Sequence, residues 1–91
     1  MTLSDMAQCL PIWNHLSSEF WENFFELAKA EPNWKEIVFS QIEKYRLTFW
    51  GEFVDNNVTK SSENCDFTML ISDRKIISIR VDIGAKSYEI R

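Results

Sequence analysis

The sequence predicts an α+β fold, with N-terminal helices packed on one face of a C-terminal three- or four-stranded antiparallel meander sheet. Three observations carry this reading. Residues 66–91 alternate apolar and polar with a period of two, residues 18–45 repeat apolar positions with the helical period, and turn-forming residues separate the alternating runs.

The alternating C-terminal third sets the frame. Phe67, Met69 and Ile71 alternate with Thr68, Leu70 and Ser72, and Asp73-Arg74 punctuates the run. Ile77, Ile79 and Val81 then alternate with Ser78, Arg80 and Asp82. Gly84 allows a second turn before Tyr88 and Ile90. The expected covered face is therefore Phe67, Met69, Ile71, Ile77, Ile79, Val81, Tyr88 and Ile90, while Leu70 and Ile76 fall on the polar face. A sheet with one apolar face must be covered, and the helical half supplies the cover.

Taken from its start, the chain offers Ser4 as an N-cap with Asp5 in the first turn. Met6, Cys9, Leu10 and Trp13 keep helical spacing, but Pro11 breaks it, so short helical turns are expected with Trp13 and Leu16 turned inward. Ser17 or Ser18 caps the next helix. Its apolar arc is Phe20, Trp21, Phe24, Phe25, Leu27 and Ala28, its outer side carries Glu19, Glu22, Glu26 and Lys29, and Pro32 ends it. Asn33 is the expected cap of a third helix, with Glu36 in the capping-box position. The stripe of that helix is Trp34, Ile37, Val38, Ile42 and Tyr45; Phe39 sits off it.

Arg46–Val54 supports two readings. Phe49 continues the helical stripe and Gly51 suits a C-terminal cap. Leu47, Phe49, Gly51 and Phe53 also alternate, in a segment rich in strand formers, and the strand is the preferred assignment. Asp55–Cys65 reads as one long polar loop, with only Val58 apolar inside it. The expected organisation is one domain over residues 1–91, with a helical half 1–45 and a sheet half 46–91.

Charge is distributed unevenly. The chain carries a net charge of −4, and residues 1–45 hold seven acids against three bases, so the whole excess lies in the helical half. An acidic surface repels nucleic-acid and membrane phosphates and attracts basic partners, so direct nucleic-acid binding is not expected. No apolar run approaches the ~20 residues of a membrane span. Met1–Asp5 has no basic stretch of the kind that opens a secretory signal. With only Cys9 and Cys65, far apart in sequence, the expectation is two free thiols in a reducing cytoplasm.

The inventory for catalysis is thin. His15 is the single histidine and lies at a helix junction. Cys9 falls on an apolar stripe, and Cys65 has Asp66 beside it, which disfavours a thiolate. Two cysteines and one histidine without paired spacing make no zinc site, so no metal and no cofactor is expected. Glycines only at 51 and 84 exclude a Gly-rich phosphate loop. The expectation is a protein that is not an enzyme.

Four tryptophans invite an interface reading. Trp13 and Trp34 fit core stripes. Trp21 and Phe25 lie at the margin of their helix's arc, and Trp50 would point away from Leu47, Phe49 and Phe53 in a strand. The candidate partner-binding set is therefore Glu19, Glu22, Glu26, Trp21, Phe25, Trp50 and Asp55. In general character the profile is similar to that of the immunity proteins that bacteria make against their own toxins, and to phage inhibitors that mimic nucleic-acid charge. The similarity is one of profile, and no motif transfers residue by residue. It implies a small acidic cytoplasmic protein that neutralises a basic protein partner, such as a nuclease toxin. The alternative is a structural or adaptor subunit, or a homodimerising domain.

Overall fold

The computed structural model describes residues 1–45 and 57–91. Helices occupy the N-terminal part and a four-stranded antiparallel meander forms the C-terminal part, with helices packed on the sheet. The α+β expectation therefore holds.

Helix α1 spans Leu3–Ala7 and is capped two residues earlier than the sequence suggested. Thr2, not Ser4, is the N-cap: its hydroxyl accepts from the Asp5 N–H, and the Asp5 carboxylate accepts from the Thr2 N–H, both at 3.1 Å. This reciprocal pair satisfies two donors that the first helical turn leaves without partners. Ser4 is thereby freed to accept a 2.8 Å hydrogen bond from Gln41 Nε2, which ties α1 to the third helix. Pro11 stands in the opening turn of a 3-10 segment, Leu10–His15, where its missing N–H costs nothing. That segment buries Leu10 and Trp13 and leaves Ile12 exposed.

Helix α2, Ser18–Ala30, starts at Ser17, whose hydroxyl accepts from the Phe20 N–H at 3.1 Å. It stops short of Pro32, as expected. Helix α3, Trp34–Ile42, runs on into a 3-10 turn at Glu43–Tyr45. The capping box expected from Asn33 and Glu36 does not form: Asn33 has φ −98° and ψ 23°, and its side chain makes no cap bond. The extended geometry that aims an N-cap side chain at the helix is absent there.

The sheet order is β1-β2-β3-β4, with strands Asn57–Ser61, Cys65–Ser72, Lys75–Ile83 and Lys86–Ile90. The first strand corrects the expected long loop, since residues 57–61 pair in register with Leu70 back to Asp66. Val58 faces inward opposite Met69, and the polar residues around it simply occupy a strand edge. Among the described residues of that loop only Ser62–Asn64 remain as a turn, closed by the Ser62 N–H donating to the Cys65 carbonyl at 2.8 Å. The preferred strand at Arg46–Val54 lies outside the described residues. Asp73 and Arg74 form a two-residue hairpin turn, both with positive φ (52° and 58°). That geometry matches the twist of the flanking strands.

A second correction concerns β3. The pairing passes from Leu70 opposite Ser78 to Ile71 opposite Ile76, so Ile77 is an extra residue without its own partner on β2. Strict alternation would bury Ile77 and expose Ile76. The bulge reverses this: Ile76 is 2% exposed and Ile77 45% exposed. The remaining predicted positions do face the helices, with Phe67, Met69, Ile71, Ile79, Val81 and Ile90 buried and Tyr88 half-buried.

One core joins the two halves. Trp21 packs edge-on to Phe24 with ring centres 5.7 Å apart and lies 6.0 Å from Phe67 of the sheet. Phe25 stacks on Tyr88 of β4 at 5.7 Å. Helix α2 therefore rests on β4 and β2 through aromatic contacts, and α3 rests on β3, with Val38, Ile42 and Ile76 buried in the same core.

Candidate functional site

Because the aromatic arc of α2 is spent on the core, the helix turns only its polar side outward. Glu19, Glu22, Asn23, Glu26 and Lys29 are exposed. Trp21 and Phe25, expected at the edge of a surface patch, are 0% and 2% exposed. Sheet packing widens the buried arc beyond what the helix period alone suggests, so neither is available as a surface anchor. Trp50 and Asp55 lie outside the described residues.

The three glutamates are not equivalent. Glu22 Oε1 accepts from Lys86 Nζ at 3.1 Å and from the Tyr88 hydroxyl at 3.0 Å. Lys29 is the one base on that side of the helix, and β4 supplies a second positive charge. Hydrogen bonds from Lys86 and Tyr88 hold the Glu22 carboxyl below the usual range, and the same contact raises Lys86. Tyr88 is raised by burial first and by Glu22 second. Glu19 and Glu26 make no hydrogen bond or ion pair among the described residues. They are the uncompensated part of the ridge.

This contact has a pH consequence. A carboxyl whose folded pKa is depressed stabilises the fold above its unfolded pKa, and loses that contribution as pH falls through the folded value. The Glu22 contribution should thus be complete at neutral pH and fade across the acidic range that begins at the ordinary glutamate pKa and runs below it. Glu22→Gln should lower urea midpoints at pH 7 and converge with wild type at the acid end of that range. A difference that does not change with pH would contradict the assignment. The pair is exposed on both sides, so the effect is small.

A second surface feature lies on the other side of the helical layer, between α3 and the start of β3. It is a groove of about 520 Å³ lined by Lys35, Glu36, Phe39, Ser40 and Glu43 from the helix side and residues 74–77 from the strand. The Arg74 guanidinium donates to Glu43 Oε1 at 2.8 Å and closes one end. Phe39 reaches the groove because it is off the helical stripe, a departure already visible in the sequence. Ile77 reaches it because of the bulge, for which the alternation pattern holds no signal.

Groups that would serve catalysis are dispersed. His15 is exposed at the end of the 3-10 segment. Both cysteines are free, Cys9 half-buried and Cys65 buried. Burial, then the nearby Asp66 and Asp82 carboxylates, push the Cys65 thiol up, which disfavours a nucleophilic thiolate. Among the described residues no three His, Cys, Asp or Glu side chains are grouped to hold a metal ion, and no helix is long and apolar enough to cross a membrane. On the outer face of the sheet, Asp82 accepts two hydrogen bonds from Arg80 and one from the Ser87 hydroxyl, an arrangement that neutralises it in place.

No protein-family model, curated protein or solved structure matches the chain.

Proposed function

We propose that the chain is a non-catalytic cytoplasmic binding protein that neutralises a basic protein partner by occupying its functional site, in the manner of an immunity-type inhibitor of a nuclease toxin or a phage-type inhibitor. The observation that carries this reading is the outer ridge of α2. Glu19 and Glu26 are exposed, unpaired among the described residues, and belong to the half of the chain that holds its entire charge excess. Such carboxylates raise the rate of encounter with a basic surface and make it salt-sensitive. A nuclease cleft is basic because it must hold phosphates, so it is the natural complement.

Glu19→Lys combined with Glu26→Lys tests the reading. Glu22 is left in place because it is tied to Lys86 and Tyr88. Tagged protein is used to capture its partner from the source cells, and association is then followed at low and high salt. The partner should be basic and lose its activity on binding. The double variant should keep its melting temperature and associate about tenfold or more slowly at low ionic strength. A neutral or acidic partner, or an unchanged on-rate, would overturn the proposal.

A second reading, a self-associating structural subunit, draws on Leu70 and Ile77, which are 36% and 45% exposed on the sheet half. Sedimentation equilibrium separates the two, since this reading requires a dimer that Ile77→Lys dissolves.

A further inference from the structure

We propose that the groove between α3 and β3 binds an extended, acid-flanked apolar peptide segment of a partner protein, which adds to the sheet as a strand beside Lys75–Ser78. The first support is the shape of the sheet. β4 pairs only with Ile79–Ile83, so β3 extends beyond it by Lys75–Ser78. Among the described residues no strand lies on that side of these four. At ~3.4 Å per residue, the slot is about 14 Å long, room for a four-residue strand. An edge without a neighbouring strand offers main-chain groups to an incoming segment, and pockets beside it select its side chains.

The second support is what stands beside the slot. α3 forms the opposite wall, and the exposed Ile77 lines the space between. A strand edge facing a helix across an apolar cleft is the arrangement that accepts a peptide by strand addition. The volume, 520 Å³, lies within the ~300–1,000 Å³ of ordinary ligand sites.

The third support is charge. Around the groove three bases, Lys35, Arg74 and Lys75, face two acids, Glu36 and Glu43, in a chain whose net charge is −4. Arg74 and Glu43 satisfy each other. Among the described residues Lys35, which lies over the Trp34 ring, and Lys75 make no ion pair, and they come from opposite walls. A segment with an apolar centre and carboxylates beside it complements this arrangement. The inference does not depend on the acidic ridge of α2, which belongs to a different helix.

The test uses the full ¹⁵N-labelled chain and the blocked pentapeptide Glu-Val-Ile-Val-Glu, acetylated and amidated at its ends. Saturable NMR shifts should appear at residues 75–78 and along α3, and exchange of the 75–78 amides should slow. The peptide with Lys in place of both Glu should bind at least about fivefold more weakly. Ser40→Trp fills the groove from an exposed position. It should leave the rest of the spectrum in place and weaken binding about tenfold or more. A dissociation constant weaker than about 5 mM, shifts mapped elsewhere, equal binding of the two peptides, or undiminished binding by the Ser40 variant would each overturn the proposal. Shifts at 75–78 that grow with protein concentration alone would assign the slot to a second copy of the chain and overturn it as well.

Discussion

Trp21→Ala is expected to cost about 3–5 kcal/mol, the range for truncating a buried large aromatic. Trp21 is fully buried and stands where α2 meets the sheet, within 6.0 Å of Phe67 and 5.7 Å of Phe24. Domains of this size are stable by only ~5–15 kcal/mol, so the variant should be partly unfolded at 37 °C. Urea melts followed by circular dichroism would check this, and a loss below about 1 kcal/mol would contradict the packing described. Trp21→Phe is the informative companion. Among the described residues the buried indole Nε1 has no hydrogen-bond partner, a defect that costs about 1–3 kcal/mol in a protein interior. Phenylalanine removes that donor while leaving a smaller void than alanine. The two effects oppose each other, and the net change should stay below about 1.5 kcal/mol.

The second large effect is a contrast between neighbours. Ile76→Ala should destabilise by about 2–5 kcal/mol, and Ile77→Ala by less than about 0.5. Ile76 fills the space beneath α3, whereas Ile77 is the extra residue of the bulge and half in water. Equilibrium unfolding of the two single variants decides the matter. A larger loss from Ile77 would restore strict alternation and remove the bulge, and with it one wall of the groove.

Much of this architecture was legible from residue patterns. Helix α2 could be read with its end, and its cap to within one residue, because Ser17 or Ser18, the apolar arc and Pro32 are local signals that agree. β2, β4 and β3 from Ser78 onward could be read because alternation and turn residues agree there. The acidic ridge was legible for the same reason, being the side left over when the apolar arc is assigned. Local signals failed where two segments compete for one group. Thr2 rather than Ser4 caps α1, and Ser4 instead accepts from Gln41, thirty-seven residues away. Asn57–Ser61 is a strand although its composition is that of a loop, because β2 offers it an edge and Val58 fits opposite Met69.

The candidate site divides along the same line. The sequence by itself determined that the helical half is acidic, that Glu19, Glu22 and Glu26 share one side of α2, and that one sheet face must be covered. Charge counts and periods need no partner to be known. Only the tertiary structure decided that Trp21 and Phe25 are core, because burial of a marginal helix position depends on how far the sheet reaches around it. It also decided that Glu22 is held by Lys86 and Tyr88, and that a one-residue bulge turns Ile76 inward and Ile77 outward. A bulge alters the count between two strands, and no single strand carries that count in its own pattern.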